Sequence, residues 1–131
     1  MIVLDTCVLI YDALTPNKLS KAARRALSEA ERKGQILCSD ISLWEIAMLI
    51  AKKRLDPATD YLTFIKAVLA ARTIQVKDIS PEVAQLAVAF PAGFTSDPAD
   101  RIIAATAVHY DALLVTCDTK LVNSGLVKTL W

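Results

Sequence analysis

Met1-Ile2-Val3-Leu4-Asp5-Thr6 stands at one end of the sequence, and Ala112-Leu113-Leu114-Val115-Thr116-Cys117-Asp118 near the other. Each is a short apolar run followed by a carboxylate and a threonine, Asp5-Thr6 in the first and Thr116-Cys117-Asp118 in the second. Runs that lack hydrophobic alternation mark strands buried on both faces, the condition of strands in a parallel sheet. Between these two runs the pattern predicts strands alternating with helices. Val8 to Leu14 reads as a short helix or turn leading into Thr15-Pro16-Asn17. Ser20 to Lys33 is an amphipathic helix with Ala23, Leu27 and Ala30 on one stripe, stopped by Gly34. Gln35 to Ser39 is a second strand, and Ser42-Leu43-Trp44-Glu45 begins a helix to about Arg54. Asp56-Pro57 introduces another helix, from about Ala58 to Arg72, and Thr73 to Val76 is a third strand. Ser80-Pro81-Glu82 opens a helix to Phe90, Pro91 to Ser96 is a loop, and Asp97-Pro98 caps a helix to Tyr110. Leu113 to Cys117 is the fourth strand and Val127 to Leu130 a last one. Such alternation gives an α/β fold with a parallel sheet of four to five strands and right-handed crossovers.

The 131 residues carry no internal repeat, low-complexity tract or linker, so residues 1–131 read as one domain able to bury its own core. Hydrophobic residues make up 54%, high for a water-soluble chain and suited to a sheet covered on both faces. No apolar run reaches the roughly 18 residues that span a bilayer, and no basic stretch precedes the first strand, so neither a membrane anchor nor a secretory signal is expected. The cysteines Cys7, Cys38 and Cys117 lack metal-type spacing and are expected to be reduced thiols in a cytoplasmic protein. A net charge of +1 gives no global field, so a nucleic acid would be held by local basic patches and a metal.

Four acids carry the chemistry: Asp5, Glu45, Asp100 and Asp118. In a parallel sheet the crevice for ligands lies beyond the carboxyl ends of the strands. Asp5 and Asp118 follow strands directly, and Glu45 and Asp100 lie near helix starts that gather at the same edge. If they converge, each pair at about 4 Å repels by roughly 4 kcal/mol at an effective dielectric near 20. Protonation or a hard cation relieves that repulsion, and oxygen-only donors suit Mg²⁺ or Mn²⁺. Every acid also has a structural reading. Ser42-x-x-Glu45 is a capping box. In Asp97-Pro98-Ala99-Asp100, Asp97 is the N-cap and Asp100 is favoured by the helix dipole. Asp5 and Asp118 could form turns. Capping and metal binding coexist, because a capping carboxylate keeps a second oxygen free. Thr6 and Thr116 are placed to hydrogen-bond a ligating acid or its water. Lys53 and Arg54, in Lys52-Lys53-Arg54, are a solvated helix end or a contact to a phosphate backbone. Trp44 is a core residue or a partner contact. His109 stands alone and reads as structural, and three glycines leave no phosphate-binding loop.

With these residues in place the chain resembles the PIN-domain ribonucleases, in particular VapC-type toxins of type II toxin–antitoxin systems. The resemblance runs through Ile2-Val3-Leu4-Asp5-Thr6, Ser42-x-x-Glu45, Asp97-Pro98-Ala99-Asp100-Arg101-x-Ile103-Ala104-Ala105-Thr106-Ala107 and Thr116-Cys117-Asp118. It implies a three-layer α/β/α sandwich and maps the metal-site and catalytic acids onto Asp5, Glu45, Asp100 and Asp118, with Thr116 as the adjacent hydroxyl. It further implies Mg²⁺- or Mn²⁺-dependent cleavage of RNA, homodimerisation, and inhibition by a cognate antitoxin. One departure is visible. Where the family often has a glycine before a basic residue and leucine, this chain has Lys52-Lys53-Arg54-Leu55. Two other readings compete: a catalytically silent PIN-like scaffold that binds RNA or an antitoxin, and a phospho-accepting receiver. The receiver lacks paired acids after its first strand, and Asp78 would have to stand in as its acceptor.

Overall fold

The computed structural model describes residues 1–131. Five strands, β1 (Ile2–Leu4), β2 (Ile36–Ser39), β3 (Gln75–Lys77), β4 (Leu113–Val115) and β5 (Thr129–Leu130), form one all-parallel sheet in the order β3-β2-β1-β4-β5. Seven helices connect them: α1 (Thr6–Leu14), α2 (Lys21–Arg32), α3 (Ile41–Ala51), α4 (Tyr61–Ala71), α5 (Pro81–Ala89), α6 (Pro98–His109) and α7 (Thr119–Ser124). A 3₁₀ turn, Pro16–Lys18, links α1 to α2.

The alternation of side chains along each strand sorts the helices into two outer layers. Ile2 and Leu4 of β1, Ile36 and Cys38 of β2 and Val115 of β4 pack with Leu9, Leu27, Ile46 and Phe64, which come from α1, α2, α3 and α4. Val3, Leu37 and Leu114 face the other way, onto Ile103, Ala104 and Ala107 of α6, Leu121 of α7 and Phe94. Small residues let α6 lie close to the strands, while Val83 and Ala87 of α5 pack on Ala105. Fully burying a side chain such as Leu4, Ile103 or Leu114 contributes about 1.5–3 kcal/mol, so these two half-cores hold the sheet between its layers.

The order of the strands decides where a site can form. From β1 the chain moves to β2 and β3 through helices on one face. It returns to β4 and moves outward to β5 through helices on the other. All four crossovers therefore have the same hand, and the direction of winding reverses between β1 and β4. Those two strands pair in the register Ile2↔Leu113, Val3↔Leu114, Leu4↔Val115, so Asp5 and Thr116 leave the sheet side by side at the switch point.

Several expected boundaries move. The helix expected from Ala58 starts at Tyr61, because Asp60 and not Asp56 is its cap; Asp60 accepts from Thr63 N at 2.8 Å. Asp56 instead turns the chain locally, accepting from Ala58 N at 2.9 Å. The third strand begins at Gln75, since Thr73 (φ +51°) and Ile74 close α4. The outer strands are shorter than expected, and Asp118 caps α7, a six-residue helix. Four helices, α2, α3, α4 and α6, end in the same way. A left-handed residue donates its N–H one turn back and its successor reaches one residue further, the Schellman arrangement. Glycine fills that position at Gly34, but Lys53, Thr73 and Asp111 fill it at φ +56°, +51° and +48°.

Candidate functional site

Asp5 is the anchor. It is 6% exposed, follows β1, and caps α1 by accepting from Thr6 N at 2.8 Å through Oδ1. Its Oδ2 accepts a 2.6 Å hydrogen bond from Thr116 Oγ1. The Thr116 oxygen in turn accepts from Asp118 N at 3.0 Å, so one hydroxyl joins the ends of β1 and β4 to the start of α7. Asp118, half-buried, caps that helix through Lys120 N at 2.9 Å.

Glu45 reaches the same place from α3. The capping-box reading does not hold. Helix α3 begins at Ile41, one residue before Ser42, so Ser42 is already inside the first turn and buried. Its hydroxyl lies 2.9 Å from Thr6 Oγ1, and Thr6 Oγ1 donates to Glu45 Oε1. Serine and glutamate thus recur three apart because both address Thr6, not because they cap a helix. Asp97 does cap α6 as expected, through Ala99 N at 2.9 Å and Asp100 N at 3.4 Å. Asp100 sits in the first turn of that helix.

The electrostatics show that these acids share one crevice. Burial and the repulsion of Asp97, Asp5, Asp118 and Glu45, in that order, push the Asp100 carboxyl up to about 7. Burial raises Asp5 as well, with Asp118 adding to it, against the opposing bonds from Thr116 and Thr6. Glu45 is raised by burial and then by Asp5 and Asp97, partly offset by Thr6. None of the chain's ion pairs includes any of the five; the pairs are Arg25–Glu29, Arg72–Asp12, Arg72–Glu31 and Lys128–Asp111. Arg101, next to Asp100 in sequence, points elsewhere. Its guanidinium donates to the carbonyls of Ala87, Val88, Phe90, Pro91 and Thr95, fastening the end of α5 and the following loop to α6.

The donor set fits a hard divalent cation. Every polar side-chain atom facing the crevice from the five acids is a carboxylate oxygen. The nearest soft donor, Cys7 Sγ, lies 3.8 Å from Asp5 Oδ2, and burial followed by Asp5 holds it as a neutral thiol. No three acidic, histidine or cysteine side chains close on a common point as a ready-made ligand cage. Glu45 leans on Thr6 instead. Both oxygens of Asp5 are engaged, Oδ2 by Thr116 and Cys7 and Oδ1 by Thr6 N alone, so Oδ1 keeps a lone pair free for a ligand.

Of the remaining sequence expectations, Cys7 and Cys117 are half-buried free thiols with their sulfurs 3.2 Å apart, and Cys38 is buried. Lys53 and Arg54 are exposed just beyond α3. Exposed His109 lies edge-on to Tyr110 at the far end of α6, away from the acids. Trp44 is 57% exposed, so it is not a core residue. Sequence reasoning passed over Asp40, which follows β2. It accepts from Ile79 N at 3.2 Å and leaves its other oxygen buried without a partner. It also reduced Ser42 to a cap. Its partnership with Thr6, 36 residues away, has no local signal.

The likeness to known proteins agrees with this fold. The PIN domain family pattern matches residues 2–124. Ribonuclease VapC22 of Mycobacterium tuberculosis (strain ATCC 25618 / H37Rv) is 35% identical over 120 residues, covering 92% of this chain and 88% of that protein. Among solved structures, VapBC2 from Rickettsia felis, bound to a DNA fragment from its promoter, superposes with a TM-score of 0.76 at 18% identity, over 99% of this chain and 98% of that one. A toxin–antitoxin complex from Klebsiella pneumoniae superposes with a TM-score of 0.68 at 26% identity, over 100% of this chain and 97% of that one. The chain belongs to the PIN domain family, among its VapC-type proteins.

Proposed function

We propose that this protein is an endoribonuclease that hydrolyses RNA phosphodiester bonds with Mg²⁺ or Mn²⁺, and that it is the toxin of a toxin–antitoxin pair. The observation that carries the reading is the crevice itself: five carboxylates in one another's field at the β1/β4 switch point, with no basic side chain paired to any of them. Such an arrangement gains from a divalent ion what it lacks in its own charges. Asp5, Glu45, Asp100 and Asp118 would hold the ion, directly or through water, with Asp97 beside them. Bound there, a divalent ion supplies Lewis-acid neutralisation of the charge that builds on a scissile phosphate.

The chain's own residues do the rest. Thr116 and Thr6 N fix both oxygens of Asp5, so the carboxylate keeps one orientation. Thr6 steadies Glu45 from α3, and Asp97 ties down the α6 turn that presents Asp100. The name of the Mycobacterium relative supports ribonuclease activity. The Klebsiella complex supports an antitoxin partner. We include in the same reading a single functional domain over residues 1–131, assembly as a homodimer, and action in the cytoplasm. No helix is long and apolar enough to cross a membrane.

The test is cleavage of a mixed RNA pool by the purified chain, with Mn²⁺, with Mg²⁺ and with chelator. Cutting that requires the ion and disappears in Asp5→Asn, while the variant keeps its fold, is the expected result. Undiminished cutting by Asp5→Asn, or cutting in chelator, overturns the assignment. Ion-independent RNA or antitoxin binding without any cutting returns the protein to the silent-scaffold reading.

A further inference from the structure

Beside the acidic crevice runs a groove of about 340 Å³ between α1, the 3₁₀ turn and the chain leaving α3. Its volume is at the lower end of the roughly 300–1,000 Å³ that small ligands occupy, the scale of one nucleotide. Cys7 joins the two. Its backbone lies in the first turn of α1, its sulfur is 3.8 Å from Asp5 Oδ2, and it also lines the groove. Ile10 and Leu49 give the groove apolar walls, Tyr11 an aromatic one, and Lys18 and Arg54 stand on its rim. The Lys18 ammonium lies 5.2 Å from the centre of the Tyr11 ring, whose neighbour is Trp131 at 6.4 Å between ring centres.

Three features separate this groove from others on the surface. No acid lines it. Neither Lys18 nor Arg54 belongs to an ion pair, although both are exposed. The left-handed turn at Lys53 sets the position of Arg54, whose N–H is bonded to Leu49 O at 2.9 Å, so this cation stands on a fixed backbone and not a frayed end. By contrast, the apolar groove between α5 and α6 has Arg101 as its cation, and that guanidinium is fully engaged by carbonyls. Two cations outside any ion pair, one of them over an aromatic ring, around an apolar slot match the chemistry of single-stranded RNA, with anionic phosphates and bases that lie against ring faces.

We propose that this groove seats a nucleotide of single-stranded RNA next to the scissile bond, with Lys18 and Arg54 contacting its phosphates and Tyr11 lying against its base. The inference rests on the nuclease reading for the identity of the strand, and it adds where that strand runs: from the acids past Cys7 toward the end of α3. Lys53, the other basic residue expected at an RNA contact, does not line the groove.

The experiment titrates a short fluorescein-labelled oligouridylate into the Asp5→Asn protein, which leaves the probe intact, over a range of salt concentrations. In that background Lys18→Ala with Arg54→Ala should weaken binding on the order of five- to tenfold. It should also lower the slope of log affinity against log salt by about 1.4, at roughly 0.7 per phosphate contact on a single strand. Tyr11→Leu should weaken binding and leave the slope unchanged. Thermal melts by circular dichroism establish that each variant is folded, and Lys33→Ala with Lys66→Ala serves as the charge-matched control. With Asp5 restored, the Lys18/Arg54 pair should raise KM for RNA cleavage and leave kcat within about twofold. An unchanged salt slope, or a loss no greater than the control's, overturns the groove. So does a pair that still binds RNA normally but no longer captures its antitoxin, which would make the groove a protein-binding surface. If the unmutated chain does not cut RNA while the slope change is present, the nuclease reading fails and the groove stands as an RNA-binding site. Cutting with unaltered KM in the pair has the opposite meaning.

Discussion

Replacing Asp100 by Asn should make the metal-free protein more stable, and the gain should depend on pH. Burial and four neighbouring carboxylates move the Asp100 midpoint from 3.8 to about 7. Fully shielded, a displacement of that size corresponds to a folding penalty of about 4 kcal/mol once the group is ionised. Asp100 is only half-buried, so solvent screening reduces the figure to about 1–2 kcal/mol. The first-turn position of Asp100 in α6 works in the other direction, by about 0.5 kcal/mol. Below about pH 4 the carboxyl is protonated in both the folded and the unfolded chain, and Asn changes little. Between about 4 and 7 the unfolded group ionises while the folded one holds its proton, so the stability of the natural chain falls as pH rises. Above about 7 the whole penalty is present and the difference levels off. For a chain of this size a kilocalorie corresponds to roughly 4 °C, so the net gain should make the variant melt about 2–6 °C higher at pH 8 in chelator and nearly together with the natural protein at pH 4. Saturating Mn²⁺, at about 100 times its dissociation constant, should add about 2.7 kcal/mol to the natural protein and much less to Asp100→Asn. Melts by calorimetry or circular dichroism across pH, with and without the ion, read all of this. A variant that is less stable at pH 8, or whose advantage persists undiminished at pH 4, refutes the claim that these acids repel one another in one crevice.

Thr116→Val keeps the shape of the strand end and removes the hydroxyl shared by Asp5 and Asp118 N. It should lower kcat/KM for RNA cleavage by an amount equivalent to about 1.5–3 kcal/mol, the scale of a hydrogen bond to a charged group, and unaltered kinetics would remove Thr116 from the site. Arg101→Met leaves the carbonyls at the end of α5 without donors. Urea denaturation should show a loss of about 2–3 kcal/mol, and a neutral result would mean that water replaces the guanidinium freely. Lys53→Gly relieves a left-handed backbone at φ +56°, where a side chain costs about 1–2 kcal/mol and glycine's extra freedom returns part of it. The variant should gain up to about 1 kcal/mol in the same assay; a loss would show that Lys53 makes contacts outweighing its strain.

The parts of the fold written in contiguous residues were legible. Strands β1, β2 and β4 announced themselves as unbroken apolar runs, and Asp97-Pro98 marked the start of α6 without ambiguity. Less legible were positions where two residues of one type competed for a role. Asp56 and Asp60 both suit a helix start, and Pro57 favoured the wrong one; the deciding partner was Thr63, three residues beyond Asp60. Ser42 and Glu45 have capping-box spacing, and only the tertiary position of Thr6 turns them to another task. Asp5, Asp100 and Asp118 could be named because each closes or opens an element at the carboxyl edge, and Glu45 because Ser42-x-x-Glu45 reads as a helix start, although it lies in the second turn of α3. Their convergence depended on β1 and β4 being neighbours, a property of strand order that no local pattern encodes. Asp40, at the same edge one strand over, has an equivalent local signature and lies under Ile79 N instead.

The bond from Thr116 to Asp5 closes a loop of 111 residues, and this separation bears on the protein's synthesis. Parallel pairing across so long an interval forms late and slowly. A nascent chain on the ribosome has β1, β2 and β3 long before β4 emerges, and until then Asp5 has neither Thr116 nor Asp118 beside it. The crevice is thus incomplete in any product of translation that stops short of β4. A chain halted before β4 therefore lacks the strand end that carries Thr116 and Asp118 to Asp5.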